Sequence, residues 1–375
     1  MSMRNKLAVT LAAVATAWAQ TAVAPAASTL KVNFPKDAPV AVIAADWGES
    51  RQTARGSALM LDLHTALSLR NLAPRRIRGI TLLVLAQAVT PGGKASVSVP
   101  CLDVQPGETF PVRLDLRLLR PSAGAGPLVE VELDGVLFDD LSFFGPNRLN
   151  CRRQMTVWEL EARRDRRYYR AVLEAQGPEG LRRQILELLA ERPRLDVQVS
   201  RSGRATAVAA THEQAVEFAC LNLPRAPLEL VRGEAVVSGS EARTPRIEVL
   251  NRSSRPVRYF EVAWLLRDPL GEEFLAGAAP ATAGRNVAPG ERAAAVQEAA
   301  LRFSRPGGRP LSIAGLTGFL SQAEFADGEI WIPDRSALDD TRLRRVLPPS
   351  AEQQRLAEIY RRHGLGALIE ELKKR

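Results

Sequence analysis

The 375-residue chain has few of the side chains that most enzyme mechanisms require. It contains three histidines, three cysteines and 5% aromatic residues. No G-x-S-x-G sequence is present, so the usual serine nucleophile elbow is excluded. Gly92-Gly-Lys94 lacks the upstream glycine of a phosphate-binding loop, and His212-Glu213 lacks the second histidine of an H-E-x-x-H zinc site. We therefore expect no enzymatic activity, no metal and no cofactor.

The histidines and cysteines all have a structural interpretation. His64 lies on the polar side of a predicted strand, His212 lies in a capping turn, and His363 lies in the last turn of a helix. Cys101, Cys151 and Cys220 match no zinc spacing, and export would permit one disulfide with one thiol left over. We interpret all three cysteines as small buried side chains, and their pairing stays open.

The N-terminus has the pattern of an export signal. Arg4 and Lys6 precede an uncharged, mostly apolar run from Leu7 to Trp18, and Ala17-Trp-Ala19 is an A-x-A cleavage site. Cleavage is favoured over retention as a membrane anchor, because residues 7–27 are rich in alanine, threonine and proline rather than leucine. We expect a periplasmic or extracellular protein.

The charge is basic, with a formal net charge of +9. The predicted signal holds two positive and no negative residues, which leaves +7 on the mature chain. After export, this excess favours anionic envelope polymers or lipid head groups over nucleic acid as partners.

Short sequences recur along the chain in the same order. Their separation grows from 180 to 183 to 193 residues, as loop insertions would produce. The matching pairs are Asn71 with Asn251, Ile77–Ile80 with Val257–Phe260, Val104–Glu108 with Val287–Glu291, and Asp134–Phe138 with Asp327–Trp331. The chain is therefore expected to contain an internal duplication.

Each copy has the pattern of short strands. Leucines alternate with polar residues from Leu59 to Leu69, and Val112–Leu118 alternates in the same way. Proline-glycine pairs mark turns between such runs, which is typical of a β-sandwich or barrel. Asp134-Gly135 between two apolar runs predicts a tight hairpin turn. Trp264 is expected in the core of the second copy.

A helical stretch follows each predicted sandwich. The first runs over Thr156–Gln176, is broken at Gly177-Pro178, and resumes with Leu181 and Ile185 on one face. The second begins at a capping box, Ser350–Gln353, and Gly364 is a plausible helix end. We match Leu181 with Leu365 at an offset of 184 residues, so that the duplication includes the helices.

These patterns predict a mainly β fold with helical appendages, built from two tandem immunoglobulin-like β-sandwiches. The expected divisions are a signal peptide at 1–19, a linker at 20–46, the first sandwich at 47–150, a helical connector with a small hairpin at 151–225, the second sandwich at 226–336 and a helical tail at 337–375.

The pattern around the two asparagines resembles immunoglobulin-like modules of uncharacterised bacterial secreted and envelope proteins. The residues that carry the resemblance are Asn71, Ile77 and Val104–Glu108, with Asn251, Pro256-Val257 and Val287–Glu291 in the second copy. The resemblance covers about half of the chain and implies fold and location but no activity. The inter-sheet disulfide of antibody domains is absent.

A basic and aromatic segment is the most suggestive binding surface. Arginine beside aromatic rings can hold phosphates, carboxylates or anionic sugars. The candidate partner-binding residues are Arg163, Arg164, Arg166, Arg167, Tyr168, Tyr169 and Arg170, with Tyr360, Arg361 and Arg362 in the second copy. An alternative is an amphipathic segment whose tyrosines pack against a sandwich.

The leading hypothesis is an exported, non-enzymatic binding or scaffolding protein of the envelope, with a protein or glycan partner. A glycan-active hydrolase is one alternative, and it needs two carboxylates that face each other across about 5–10 Å. The adjacent acids are Asp139-Asp140, Glu272-Glu273 and Asp339-Asp340. A binder of anionic envelope surfaces through the Arg163–Arg170 segment is the other alternative.

Overall fold

The structure is a computed structural model that describes residues 29–87, 92–122, 127–190, 196–201, 214–281, 285–296 and 299–374. It is mainly β, with several sheets and few helices. The predicted signal peptide lies outside the described residues. No helix of the described ranges is both long enough and apolar enough to cross a membrane.

The elements before and including the first long helix are β1 (Leu30–Asn33), β2 (Val40–Ala45), β3 (Arg51–Arg55), β4 (Ala58–Asn71), β5 (Ile77–Leu85), β6 (Lys94–Val99), β7 (Thr109–Pro121), β8 (Val129–Phe138), β9 (Phe143–Phe144) and α1 (Cys151–Leu188).

The elements after α1 are β10 (Asp196–Arg201), β11 (Gln214–Glu217), β12 (Ala219–Cys220), β13 (Leu228–Ser238), β14 (Glu241–Asn251), β15 (Val257–Arg267), β16 (Glu273–Ala281), β17 (Arg292–Val296), β18 (Ala299–Arg305), β19 (Arg309–Pro310), β20 (Gly315–Phe325) and β21 (Ile330–Trp331). A 3-10 turn (Ser336–Asp339), α2 (Thr341–Val346) and α3 (Ala351–Lys373) complete the chain.

The first two sheets share one buried core. Sheet A has the strand order β1-β8-β5-β6, with β9 paired to β8, and sheet B places β4 between β7 and the edge strands β2 and β3. The leucines of β4 at positions 61, 63, 67 and 69 are fully buried and meet β5 and β8 residues in one cluster. His64 is exposed on the opposite face. The predicted alternation of this strand is confirmed.

Of the next two sheets, sheet D repeats the strand order of sheet A, whereas sheet C has seven strands and sheet B has four. Sheet C places β14 between β13 and the strands β17 and β18, with β11 and β10 at its two edges. Sheet D has the order β12-β20-β15-β16, with β21 paired to β20. The first strand of sheets A and D is parallel to its neighbour in both cases. Trp264 of β15 is buried in the shared core of these sheets, as expected, and its ring lies 4.7 Å from that of Phe218.

Two buried asparagines hold equivalent corners. The Asn71 amide donates to the carbonyls of Arg75 and Val104, while its side-chain oxygen accepts from Ala73 N. Asn251 donates to the carbonyls of Arg255 and Val287 and accepts from Ser253 N. Each asparagine therefore ties together three backbone groups from two chain segments that cross at this corner.

The hairpin predicted at Asp134-Gly135 is wrong. Both residues lie inside β8, where Thr81 pairs with Gly135 and Leu82 with Leu133, so Asp134 is the extra residue of a β-bulge. A Cβ on Gly135 would lie 2.2 Å from Phe143 Cζ, so the glycine permits close packing. The bulge aims the buried Asp134 carboxylate at the start of α1, where it accepts from Arg148 N at 2.8 Å and from Cys151 Sγ at 3.3 Å.

The sequence match of Asp134–Phe138 with Asp327–Trp331 also needs correction. Asp140 accepts hydrogen bonds from Arg75 and Ser142 N, and Asp327 accepts from Arg255 and Glu329 N, so Asp327 corresponds to Asp140 rather than to Asp134. The aromatic pair follows the same shift of 187 residues. Arg75 lies over the Phe138 ring at 4.3 Å, and Arg255 lies over the Phe325 ring at 4.0 Å, which makes Phe325 rather than Trp331 the counterpart of Phe138.

Two glycines bend the long helices at equivalent places. Gly177 in α1 has φ 68° and ψ −172°, and Gly364 in α3 has φ 80° and ψ −177°, a backbone region that is essentially restricted to glycine. Gly364 does not end the helix, contrary to the prediction, because the helix resumes after the bend. The corrected match pairs Leu181 with Leu368, and likewise Ile185 with Leu372, and all four side chains are fully buried.

Several of the predicted segments contain elements that the structure assigns to the sheets. The range 20–46, interpreted as a linker, contains β1 and β2, which pair with strands of sheets A and B. The connector 151–225 contains one bent helix, and it also contains β11 and β12, which belong to sheets C and D. The first arm of the small predicted hairpin, β10, pairs with β18, and the second arm lies outside the described residues.

The three cysteines are free thiols in the structure. Cys101 and Cys151 are buried, as expected, whereas Cys220 is only partly buried. Burial raises the pKa of the Cys151 thiol to about 11 and also raises that of Cys101. The buried pair is therefore in the thiol form at neutral pH, which suits a packing role.

Candidate functional site

All ten candidate partner-binding residues lie on the two long helices, α1 and α3. The two helices share a small core that includes Tyr169, Leu181, Leu356 and Leu368. Seven of the ten candidates lie on α1, at positions 163, 164 and 166–170, and three lie on α3, at positions 360–362. Tyr169 is 1% exposed and its hydroxyl accepts from Gln353 Nε2 at 3.1 Å, so it packs against α3 and not, as the alternative had it, against a sandwich.

Most of the candidate arginines already have partners inside the protein. Arg166 reaches Glu159 at 3.2 Å and Glu352 at 3.5 Å, and both carboxylates are buried. Arg170 donates to the carbonyls of Leu372 and Lys374 at the end of α3, where a cation suits the helix dipole. These arginines stabilise the helix pair and are not free to hold an outside ligand.

Three candidates remain on the surface. Arg167, Arg361 and Arg362 are exposed, and the last two pair with Glu358 on the same helix. Exposed pairs of this kind stabilise a helix by only about 0.3–0.5 kcal/mol. This exposed group keeps its basic charge available to solvent.

A large cavity lies beside the helix pair. Its volume is about 860 Å³, which is within the range of about 300–1,000 Å³ of small-molecule sites. It lies between α1 and the outer face of sheet D, and residues of the segment 333–354 form another wall. The apolar wall includes Trp158, Leu275, Phe319, Leu338 and Leu347. Arg164 and Tyr169 are the two sequence candidates that line it.

A proline pair shapes the wall of the cavity. Helix α2 ends at Val346, and Leu347 is extended because the residue before a proline disfavours the helical conformation. Pro348 and Pro349 then separate α2 from α3, and both prolines line the cavity. The side chain of Ser350 caps α3 in the predicted capping box, which is confirmed, and Ser350 also donates to Asp165 at 2.6 Å.

Glu161 is the most unusual group in the cavity wall. Burial raises the pKa of its carboxyl to about 6, while the nearby Arg164 acts in the opposite direction and Asp165 adds to the rise. No hydrogen bond or ion pair to Glu161 is present among the described residues. Since buried carboxylates normally have partners, this carboxyl is available to a ligand.

The cavity carries an excess of arginine. Four arginines and two glutamates line it, and Arg344 reaches Glu187 at 3.4 Å. Arg335 lies over the Tyr168 ring at 4.6 Å, and its Nε is buried without a hydrogen-bond partner. Arg345 is exposed and has no ion pair or hydrogen bond within the described part of the chain. The cavity-lining groups that lack a hydrogen-bond partner therefore belong mostly to arginines.

The adjacent acids named from the sequence serve the fold. Asp140 binds Arg75 and Ser142, Glu273 binds Arg342 with both oxygens, and Asp340 caps α2. None of these acids lines the cavity. Within the described ranges, no group of three or more histidine, cysteine or acidic side chains could hold a metal ion.

Sequence reasoning missed Trp158, Glu161, Arg335 and Arg345. The first two had a usable signal, because Trp158, Glu161 and Arg164 are spaced three residues apart and share one face of a helix. Arg335 and Arg345 had no such sequence signal, because only the tertiary fold brings the segment 333–354 to α1.

No family model matches the sequence, and the comparison with curated proteins also gives no match. Among solved structures, the transglutaminase of red sea bream aligns with 74% of this chain and 31% of its own length, at 11% sequence identity and a TM-score of 0.12. A similarity at that score carries no argument about fold or activity.

Proposed function

We propose that the chain is an exported, non-enzymatic binding protein of the bacterial envelope, in which two tandem immunoglobulin-like β-sandwiches arose by internal duplication. The cavity between α1 and sheet D is its ligand site. The single observation that carries this proposal is a cavity of about 860 Å³ whose Glu161 and Arg345 have no partner within the described residues.

The duplication is supported by matched detail rather than by sequence identity. The strand order of sheets A and D is the same, and Asn71 and Asn251 make the same three types of side-chain hydrogen bond. Gly177 and Gly364 adopt the same rare backbone conformation. Export is supported by the charged start, the apolar run and the A-x-A site of residues 1–19.

A rigid frame suits a binding role. Helix α1 contacts sheet A through Met155, whose sulfur accepts from Thr81 at 3.1 Å. It contacts sheet D through Arg153, which reaches Glu324 at 2.7 Å and lies 3.5 Å from the Tyr259 ring centre. Both sheet pairs are thereby fixed to one helix, which keeps the cavity wall pre-organised and lowers the entropic cost of binding.

The test is to recover a ligand from the protein in its native envelope. The mature chain is purified without detergent washing, and small molecules are extracted and identified by mass spectrometry. We expect a compound at a near-equimolar ratio that is lost in Ala278→Trp, a substitution at an exposed position of the cavity wall. Equal recovery from the two proteins, or no compound from either, contradicts the proposal.

A glycan-active hydrolase is the second candidate. It is favoured by one observation: the cavity holds two carboxyls, Glu161 and Glu187, and the raised pKa of about 6 at Glu161 suits a general acid. Turnover of envelope polysaccharides that disappears in both Glu161→Gln and Glu187→Gln would establish this activity in place of simple binding.

An electrostatic binder of anionic surfaces is the third candidate, through the exposed Arg167, Arg361 and Arg362. Such binding weakens as salt rises, since the Debye length falls from about 10 Å at 0.1 M to about 3 Å at 1 M. Sedimentation with anionic vesicles at two salt concentrations separates it from cavity binding, because Arg361→Gln would reduce only the vesicle interaction.

A further inference from the structure

The walls of the cavity have two chemical parts. One part is apolar, formed by Trp158, Phe319, Leu275 and Leu347, and it offers no hydrogen bond to a polar ligand body except through the indole N–H. The other part is polar and contains Arg335, Arg345 and Glu161. A ligand that fills both parts must have an apolar body and a polar group.

The charges of the polar part decide the sign of that group. Glu187 is already paired with Arg344, and Arg164 is paired with the buried Asp165 at 3.0 Å. Arg335 has one carboxylate nearby, Asp339 at 3.8 Å from its Nε, and Arg345 has no ion pair within the described residues. The four arginines that line the cavity outnumber its two glutamates, and burial raises the pKa of Glu161 to about 6, so its negative charge is lost below that pH and the lining is then more positive still.

Arg335 is held in place but is not satisfied. The Tyr168 ring supports its guanidinium at 4.6 Å, and Asp339 lies 3.8 Å from its Nε, too far for a hydrogen bond. A buried N–H without a partner is destabilising, so the guanidinium gains a hydrogen bond if it turns this N–H toward an acidic oxygen in the cavity. Arg345, at the same wall, adds a second donor fork that is free of internal partners.

We propose that the cavity binds an organic anion with an apolar body, and that Arg335 and Arg345 hold its acidic group. This inference rests on the proposed function, because it names the ligand class of the same cavity. The apolar body lies against Trp158 and Phe319. A neutral ligand of the same shape lacks the acceptor for the two arginines and binds more weakly.

The test uses two fluorescent probes that differ in one group. 8-Anilinonaphthalene-1-sulfonate carries a sulfonate, and N-phenyl-1-naphthylamine is the same ring system without it. Both are titrated into the full mature chain at pH 7. We expect saturable one-to-one binding of the sulfonate, with an affinity about tenfold or more above that of the neutral probe, as a charged hydrogen bond provides.

Four variants assign the site. Arg345→Gln and Arg335→Gln are each expected to weaken sulfonate binding about tenfold or more and to leave the neutral probe unchanged. Arg113→Gln removes the same charge from the exposed face of β7, outside the cavity, and is expected to change neither affinity. Ala278→Trp fills the cavity and is expected to abolish both. If Arg335→Gln destabilises the fold, Arg345→Gln still tests the inference, because Arg345 is exposed.

The outcomes separate the inference from the proposed function. Equal affinity for the two probes, or an unchanged sulfonate affinity in Arg345→Gln, overturns the anion inference, while loss of the neutral probe in Ala278→Trp still supports a binding cavity. If neither probe binds in a one-to-one ratio, or if Ala278→Trp changes nothing, both the inference and the cavity as the ligand site are wrong.

Discussion

Replacing Glu161 by glutamine should make the protein more stable at neutral pH but not at acid pH. Glu161 is partly buried, its carboxyl lacks a partner within the described residues, and its pKa is raised from 4.5 to about 6 by desolvation. A shift of about 1.5 units corresponds to about 2 kcal/mol, at about 1.36 kcal/mol per unit. Glutamine has the same shape and never ionises, so it escapes this cost.

The direction follows from proton linkage. Because the folded pKa is above the unfolded one, the stability that Glu161 contributes is fully present below about pH 4.5 and is lost as pH rises through about 6. The free energy of unfolding of Glu161→Gln, minus that of the wild type, should therefore rise by about 2 kcal/mol between pH 4 and pH 7.5.

Urea unfolding at a series of pH values measures this difference directly. Any constant effect of the substitution cancels, because only the change with pH is compared. The matched control is Glu174→Gln, at an exposed position of the same helix, for which the difference should stay constant. A difference for Glu161→Gln that is flat, or that falls as pH rises, would refute the placement of Glu161 as a buried, unpaired carboxyl.

Three further outcomes are expected. Gly364→Ala should destabilise the protein by about 1–3 kcal/mol, because alanine is strained at the φ of 80° found there. Gly366→Ala, two residues later and with open space around it, should be neutral or stabilising, and thermal unfolding distinguishes the two variants. Asn71→Ala and Asn251→Ala should each cost about 2–4 kcal/mol in urea unfolding, since each removes three side-chain hydrogen bonds to backbone groups, and a large inequality would count against equivalent corners. The affinity for 8-anilinonaphthalene-1-sulfonate should rise several-fold from pH 7.5 to pH 5 in the wild type, because Glu161 takes up a proton while Arg164, Arg335, Arg344 and Arg345 stay charged. Glu161→Gln should remove this pH dependence.

Sequence patterns predicted the parts of the fold that depend on local alternation. The leucines of β4 specify a strand with one buried face, and the structure buries four of them completely. The Ser350 capping box and the position of Trp264 in the core were predicted for the same reason, because each depends on residues close in sequence.

Features set by a distant partner were not predictable in this way. Asp134-Gly135 has the composition of a tight turn, but its register with Thr81 and Leu82 of β5 makes it a bulge instead. The arginine-tyrosine segment has the composition of a binding surface, but α3 buries Tyr169 and supplies Glu352 to Arg166. The cavity depends most on distant residues, since its walls come from positions as far apart as Ser98 and Gln354.

The most direct test of the account is photocrosslinking from the cavity in the native envelope. A benzophenone-bearing amino acid replaces Ala278 at the cavity wall, and in a second protein it replaces Leu270, which is 84% exposed in a turn. The account predicts a light-dependent small-molecule adduct at position 278 and none at position 270. Capture of a macromolecule at position 270, with no adduct at position 278, would contradict it.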